Sequence, residues 1–407
     1  MSQGRARAAV PGPAVFLSLL LAVAIPACRQ DDPAALEAAA RASYAAGRLE
    51  QAEDRLARLA RLRPLMVRER VLRAQIAQER GLLDDALAAL NDPEGEEPTQ
   101  EAEAALLSAW RGWIEMDRHR FRAAETHLKR AVSLQPRRAQ ARRQLIDLYA
   151  LQNRPADLHE QARALARLET LDFAYLFAWT LGQREGTDLH GQTAMLQDAV
   201  AADPDDRASR LALADCLRRL GKLPQADETL APLPEADPQA RLIRARLALD
   251  RGDAAAAEAL VGPPETARTH PELAQLRGHL ALLRGDAAAA LDAFQEAART
   301  LPQSRDVQFG LGQALRLSGQ AEAAAPHLKA ARERDRLEWL VRGARGADRR
   351  TDPAILQQIG AACLAVGRRN LAEGWYRLAL SHAPNDPTIQ AALAGLKAEG
   401  ADSISEP

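Results

Sequence analysis

The sequence predicts an all-α fold, a right-handed superhelical solenoid of about ten helix-turn-helix repeats. Glycine recurs at intervals of mostly 34 residues, each time with alanine five residues later, and self-similarity at such a period is typical of stacked repeats. Hydrophobic residues make up 47% of the 407-residue chain but aromatic residues only 4%. Alanine and leucine therefore dominate the apolar content, which favours helices over strands.

Each repeat has the same internal plan. The glycine ends a first helix, where a left-handed residue is needed, and the alanine lies in the second helix. These pairs are Gly47 with Ala52, Gly81 with Ala86, Gly221 with Ala226, Gly252 with Ala257, Gly285 with Ala290, Gly319 with Ala324 and Gly367 with Ala372. His119, Asn153 and Thr187 take the glycine's place in three further repeats. Proline recurs near the end of the second helix, which it cannot continue, at Pro64, Pro98, Pro136, Pro204, Pro238, Pro302 and Pro384.

The repeat at 271–304 shows the packing that this plan requires. Gly278 and Ala290 are small at the point where its two helices would cross. Leu276, Leu280 and Phe294 contribute to apolar stripes at helical spacing. A helix of about 14 residues is only about 21 Å long, so no single pair can bury both of its faces. Stacking on neighbouring repeats is therefore required.

Through its period, its turn glycine, its small residue in each helix and its closing proline, the chain resembles the tetratricopeptide repeat (TPR) family. The resemblance is weaker around Asn153 and Thr187, where Leu158 and Gln192 replace the alanine. HEAT-like repeats are the alternative, but their periods are longer. The resemblance implies a concave wall of first helices that binds extended peptides or partner helices.

The repeats are expected to span 33–386. Their bounds are near 33–66, 67–100, 105–138, 139–172, 173–206, 207–237, 238–270, 271–304, 305–338 and 353–386. An Arg-rich insert at 339–352 breaks the period. It suits a helix extension with a solvated basic face. The alternative is a docking element, whose ligand would be an acidic partner or membrane phosphates. A capping helix is expected over 387–400 and a disordered tail over 401–407.

The first 27 residues resemble a secretory signal peptide. Arg5 and Arg7 precede an apolar run from Ala14 to Ile25, which is shorter than the roughly 20 residues of a membrane-spanning helix. The chain is therefore expected to be exported.

Ile25, Pro26, Ala27 and Cys28 resemble the lipobox of bacterial lipoproteins. The resemblance implies lipid attachment at Cys28, a tether over 28–32 and a membrane-anchored protein that faces the periplasm. Arg29, in place of the aspartate associated with inner-membrane retention, favours the outer membrane. The alternative is a signal peptide that is cleaved without lipid attachment.

The sequence predicts no catalytic residue, cofactor or metal site. The eight histidines show no metal-binding spacing, and no phosphate loop or nucleophile elbow occurs. Cys216 and Cys363 lie more than four repeats apart and are expected to stay unpaired, because each repeat of a solenoid should contact only its neighbours. A formal net charge of −1 provides no basic field for nucleic acid. An enzyme therefore has no support from the sequence.

Binding is instead expected on the concave wall. Its candidate residues are Trp110, Trp113, Met116, Arg184, Arg218, Arg246, His279, Gln313 and Arg316. Trp110 and Trp113 share a helix face with Met116, which suits either an aromatic anchor or core packing. The arginines suit either carboxylates of a partner or a solvated face with intrahelical pairs.

The sequence thus favours a lipid-anchored envelope scaffold that holds a protein or an extended peptide, with assembly of envelope proteins as the expected role. One alternative is a substrate- or partner-recruiting subunit of an envelope biosynthetic or cytochrome-modifying enzyme. Another is a surface carbohydrate-binding protein with Trp110 and Trp113 as platform residues.

Overall fold

The computed structural model describes residues 32–91, 98–183, 185, 188–262 and 270–401. These ranges contain 21 helices and no strand, so the predicted all-α solenoid of helical repeats is confirmed. The predicted signal peptide (1–27), Cys28, Arg184 and residues 402–407 of the predicted tail lie outside the described residues. The chain divides into two compact units, Met1–Asp117 and Arg118–Pro407, which we call unit 1 and unit 2.

Unit 1 consists of two helical hairpins and a longer fifth helix. Its helices are α1 (Pro33–Ala45), α2 (Leu49–Leu62), α3 (Val67–Glu79), α4 (Leu83–Leu90) and α5 (Glu101–Asp117). Leu56 and Leu59 of α2 are fully buried against Leu72 and Ile76 of α3. The core of unit 1 therefore lies between successive hairpins, as stacking requires.

Unit 2 contains the remaining 16 described helices. They are α6 (Phe121–Leu134), α7 (Ala139–Leu151), α8 (Pro155–Ala166), α9 (Phe173–Leu181), α10 (Leu189–Ala202), α11 (Arg207–Arg219), α12 (Leu223–Leu230), α13 (Pro238–Asp250), α14 (Ala254–Val261), α15 (Pro271–Leu283), α16 (Ala287–Thr300), α17 (Arg305–Leu317), α18 (Ala321–Gly343), α19 (Pro353–Ala365), α20 (Arg369–His382) and α21 (Pro387–Ala401).

The turns between paired helices use the left-handed backbone that the sequence predicts. All seven repeating glycines have positive φ, and His119 and Asn153 adopt the same conformation, with φ of 56° and 52°. Thr187, the expected turn residue of the repeat that contains α9, lies outside the described residues. There the first helix ends earlier, with Gly182 at φ 72° as its C-cap. Glycine accepts this conformation without strain and therefore sets the end of α9.

Glycines within helices allow aromatic rings to fill the space between repeats. A Cβ atom at Gly278 would lie 2.8 Å from the Phe294 ring, and one at Gly310 would lie 2.3 Å from it. The fully buried Phe294 of α16 thus contacts both α15 and α17 across a repeat boundary. The expected close approach at Gly278 is confirmed.

Within each unit, first helices of neighbouring repeats pack on one another more closely than second helices do. In unit 2 the pairs α11 with α13, α13 with α15, and α15 with α17 are in contact. We call α11, α13, α15 and α17 the first-helix wall.

Unit 2 also contains a contact that a simple stack does not have. The α9 helix packs against α18 and α20, far along the chain. Trp375 Nε1 donates to Thr180 Oγ1 at 3.1 Å, and the Arg368 guanidinium donates to the carbonyl oxygens of Trp179 and Thr180, both at 2.9 Å. We call this contact the seam. The expectation that each repeat contacts only its neighbours is therefore wrong for this repeat.

The composition of α9 explains the seam. Phe173, Leu176, Phe177, Ala178 and Trp179 are all buried, although the helix has only nine residues. A helix that is apolar on all sides needs partners on all sides, and neighbouring repeats cover only some of them. The α20 helix covers another side, where Gly374 permits close approach because a Cβ atom there would lie 2.7 Å from Leu176 Cδ2.

The Arg-rich insert begins as a continuation of the second helix, since α18 runs for 23 residues. Two arginines after it reach α9. The Arg345 guanidinium lies 5.9 Å from the Phe177 ring centre, and Arg350 lies 5.5 Å from that of Phe173. Arg350 also donates to Glu185 at 2.7 Å. These contacts extend the seam; whether the insert also docks a partner stays a prediction.

Replacing the buried Trp375 by alanine should open the seam. We expect Trp375→Ala to cost roughly 3–5 kcal/mol of stability, with faster amide hydrogen exchange in Phe173–Leu181 than in the distant helix Arg207–Arg219. Trp339→Ala is the matched control, because Trp339 is 73% exposed. Unchanged exchange in α9 would contradict the assigned role of Trp375.

Candidate functional site

The described candidate residues fall into two groups. Arg218, Arg246, His279 and Gln313 lie on four successive first helices of unit 2, with Arg316 on the last of them. Trp110, Trp113 and Met116 all belong to α5 of unit 1. The structure therefore assigns the predicted residues to one wall and one separate helix.

Trp110 and Trp113 stack on each other. Their ring centres lie 4.7 Å apart with an angle of 18° between the planes. Both rings and Met116 are half-buried, and Trp110 packs against the core that contains Leu107 and Ile114. Each ring thus covers one face of the other, and the choice between anchor and core stays a prediction.

Arg218 is already neutralised by the chain. It donates to Asp215 Oδ1 at 3.1 Å and to Asp250 Oδ2 at 2.8 Å, which joins α11 to α13. Burial alone would lower the pKa of Arg218, but the two carboxylates raise it above its usual value. This arrangement stabilises the wall. Because two carboxylates already neutralise the charge of Arg218, this residue is less suited to pairing with a carboxylate of a partner.

Arg246 is the contrasting case. It is half-buried on α13 and makes no hydrogen bond or ion pair to any other described residue. Burial lowers the pKa of Arg246, while the charge of Asp215 opposes that shift. A poorly solvated guanidinium without a partner is suited to an incoming carboxylate.

His279 and Gln313 are half-buried, whereas Arg316 is exposed. The His279 ring packs edge-on against Phe294, with ring centres 5.1 Å apart, and burial lowers its pKa. His279 therefore contributes to packing between α15 and α16 as well as to the wall.

A cavity of about 670 Å³ opens at the end of the wall that contains α11 and α13. Its floor is apolar, and its rim carries both signs of charge. The lining includes four buried apolar residues, which we call the floor, and eight ionisable residues, which we call the rim. The floor is Leu211, Ala212, Leu242 and Ile243, and the rim is Arg122, Arg207, Arg246, Glu125, Asp157, Asp205, Asp215 and Glu272. We call it the wall cavity. An apolar floor with a few convergent polar groups is typical of binding sites.

One side of the wall cavity is held by an ion cluster that sequence analysis missed. Arg154 forms a two-pronged pair with Glu125, at 2.7 and 2.9 Å, and the Tyr149 hydroxyl donates to the same carboxylate at 3.1 Å. Burial would raise the pKa of Glu125, but Arg154 and Lys129 lower it from 4.5 to about 2. The missed signal was Asn153, whose left-handed turn presents Arg154.

Cys216 and Cys363 are both free and buried. Burial raises the pKa of the Cys216 thiol to about 11 and that of Cys363 to about 12. Both therefore resemble small apolar residues at neutral pH. The described side chains include no cluster of potential metal ligands. None of the described helices is both long and apolar enough to cross a membrane.

Helical hairpins stacked with their first helices along a common wall define a helical-repeat protein. Family models described as tetratricopeptide repeat match residues 193–245 in one case and residues 111–168 and 276–337 in another. The chain therefore contains tetratricopeptide repeats in these three segments, and such repeats support the class of protein–protein interaction scaffolds. A comparison with curated proteins gives no significant match.

Several solved structures are similar over most of their length. The APC/C hetero-tetramer Cut9-Hcn1 matches with 12% identity, 90% of each chain covered and a TM-score of 0.34. Yeast Tom70 matches with 12% identity, 91% of this chain and 89% of that chain covered, and a TM-score of 0.32. A tetratricopeptide repeat protein from Parabacteroides merdae matches with 16% identity, 61% and 98% coverage, and a TM-score of 0.32. Such low scores carry no information about this chain's partner.

The depressed pKa of Glu125 predicts a pH dependence of stability. Its contribution is complete above pH 4.5 and is lost as the pH falls towards 2, because the unfolded chain takes up the proton first. We expect Glu125→Gln to cost roughly 2–3 kcal/mol at pH 7 and to remove this dependence.

Denaturant unfolding of both proteins between pH 7 and 2 measures this difference. The exposed Glu322 provides a control through Glu322→Gln, which should follow the unmodified protein throughout. A stability difference that is the same at every pH would contradict the role given to Glu125.

Proposed function

We propose that this protein is a lipid-anchored scaffold of the bacterial cell envelope that holds a partner protein on the first-helix wall. The observation that carries the proposal is Arg246, a half-buried cation without an ionic partner among the described residues, at the edge of an apolar cavity. The charge of Arg246 is thus available to be neutralised by a carboxylate of a ligand.

The wall cavity favours an extended peptide that carries both an acidic and a basic side chain. Arg246 supplies the site for a carboxylate. The exposed Asp205 and Glu272 supply acidic groups on the same rim, and neither makes an ion pair with another described residue. The apolar floor of Leu242 and Ile243 would take an apolar side chain between them.

The cellular part of the proposal rests on the sequence before the repeats. The basic start, the short apolar run and the residues up to Cys28 support export and lipid attachment. Several acyl chains on one cysteine would hold the protein at the membrane, since each buried CH₂ contributes about 0.8 kcal/mol. Outer-membrane attachment and a role in the assembly of envelope proteins complete the proposal.

Two other functions remain to be separated from this one. A stable complex with an envelope biosynthetic or cytochrome-modifying enzyme would favour a partner-recruiting subunit. Retention on immobilised glycan that depends on Trp110 and Trp113 would favour a carbohydrate-binding protein. The stacked pair leaves each indole only one face for a sugar.

Crosslinking in intact cells tests the wall. With a photoreactive residue at position 313, we expect one discrete crosslinked product, identified by mass spectrometry. Arg246→Glu should reduce its yield about tenfold or more, because it replaces attraction to a carboxylate by repulsion.

The control is Arg299→Glu on α16, where Arg299 is exposed and pairs with Glu296 at 2.7 Å. It should retain the crosslink. Equal yields from the unmodified protein and both variants would show that the wall does not hold the partner through Arg246.

The anchor is tested separately. We expect Cys28→Ser to abolish palmitate labelling and to leave the protein uncleaved or released from the membrane, because the serine cannot carry the thioether lipid. Labelling with radioactive palmitate and membrane fractionation measure both effects. Persistent labelling would refute the anchor but would leave the wall proposal intact.

A further inference from the structure

A second cavity, of about 730 Å³, lies along the seam of unit 2. Its lining comes from α8, α9, α18, α20 and the turn between α16 and α17. The ionisable side chains in this lining are His159, Arg163, Arg305, Arg334, Arg368, Arg369 and Glu338. We call it the seam cavity. Glu338 is the one acid among the described residues of the lining, and it pairs with Arg342 at 2.7 Å.

Arg334 and Arg368 form the centre of this basic cluster. Arg334 donates to the Gln303 side chain, and its buried Nε has no hydrogen-bond partner. Arg368 donates to two carbonyl oxygens of α9, and its Nη2 also donates to His159 Nε2 at 3.5 Å. Neither guanidinium has a carboxylate partner among the described residues.

Among the other arginines of the lining, Arg163 is exposed to solvent. Arg305 pairs with Asp335 at 2.9 Å, outside the cavity. Arg369 donates to the carbonyl oxygen of Leu396. Arg334 and Arg368, next to His159, are therefore half-buried cations without a carboxylate partner among the described residues.

The lowered pKa values of Arg334 and His159 reflect burial and repulsion from neighbouring positive charges. Burial lowers the pKa of Arg334, and Arg368 lowers it further. Burial, Arg368 and Arg163 together lower the pKa of His159 to about 4. Two guanidinium groups and a neutral imidazole are thus held in a poorly hydrated place where an anion would relieve the repulsion.

The start of α20 adds backbone donors to the same place. Gly367 to Leu371 line the cavity, and the first turn of α20 contains no acidic residue. Its N-cap, Arg368, makes no side-chain cap. The free N–H groups and the positive end of the helix dipole favour negative charge at this point.

We propose that the seam cavity is a binding site for a phosphate group, free or on a small molecule, held by Arg334, Arg368 and the N-terminus of α20. The guanidinium forks match the geometry of an oxyanion. The bound group would link α8 and α9 to α18 and α20, and so would hold the seam closed. This proposal is independent of the first-helix wall and of its partner.

Thermal unfolding and calorimetry of the full chain test the site, with inorganic phosphate and glycerol 3-phosphate as probes at constant ionic strength. We expect saturable binding and a rise in the unfolding temperature. Arg334→Gln should weaken phosphate binding about tenfold or more. Arg334→Lys keeps the positive charge but loses the guanidinium fork, so its affinity should lie between those of Arg334→Gln and the unmodified protein.

Arg336→Gln is the matched control, because Arg336 is exposed on the same helix and does not line the cavity. It should bind as the unmodified protein does, which separates site binding from general stabilisation by phosphate. A second readout is the His159 imidazole, whose pKa should rise in NMR titrations when phosphate is bound, because the anion offsets Arg163 and Arg368.

The two probes distinguish the sources of the phosphate group. Tighter binding of glycerol 3-phosphate indicates a phosphate ester, and tighter binding of inorganic phosphate indicates the free ion. Absence of saturable binding for both probes at about 10 mM would overturn the proposal, since such affinity lies below that of a specific site. Binding that Arg334→Gln leaves unchanged would also overturn it.

Discussion

A pair of short helices cannot bury all of its apolar surface, and the structure of this protein follows from that constraint. Each hairpin leaves one face of its helices to be covered by the next repeat. Phe294 shows how closely this is done, since its ring fits only because Gly278 and Gly310 carry no side chain. The same stacking aligns the first helices, and that alignment produces the wall on which binding is proposed.

The seam follows from the same constraint applied to one unusual helix. The α9 helix exposes no polar side that could face water, so neighbours in the stack are not sufficient. Trp375, Arg368 and Gly374 of the distant α20 region complete its burial. Because the seam fixes helices at separate positions of unit 2, it also limits how far the wall between them can flex. A partner then meets a preformed surface, which reduces the entropy cost of binding.

Periodic features of the fold could be predicted from the sequence, and non-periodic ones could not. The left-handed turns at His119 and Asn153 follow from their register alone, without glycine. The seam depends on Thr180 and Trp375, which are 195 residues apart and carry no repeating signal. The early end of α9 was missed because Gly182 breaks the register rather than follows it.

The arginines of the wall show where finer sequence reasoning would have helped. Arg207 pairs with Asp237, Arg218 with Asp250 and Arg305 with Asp335, in each case 30 to 32 residues on. Of these pairs, Arg218 with Asp250 joins the first helices of adjacent repeats, Arg207 pairs with the residue that caps the next first helix, and Arg305 pairs within its own repeat. At the same distance from Arg246 stand Leu276, Arg277 and Gly278, with no acid among them. Arg246 therefore has no acid at the spacing that these three pairs use.

The two cavities of unit 2 differ in charge, and the difference indicates different ligands. The wall cavity has acids and bases around an apolar floor, which suits a peptide with varied side chains. The seam cavity has several arginines and a single, already paired acid within its described lining, which suits a compact anion. Because the seam joins α9 to α18 and α20, an anion bound there would hold these helices together without touching a residue of the wall cavity.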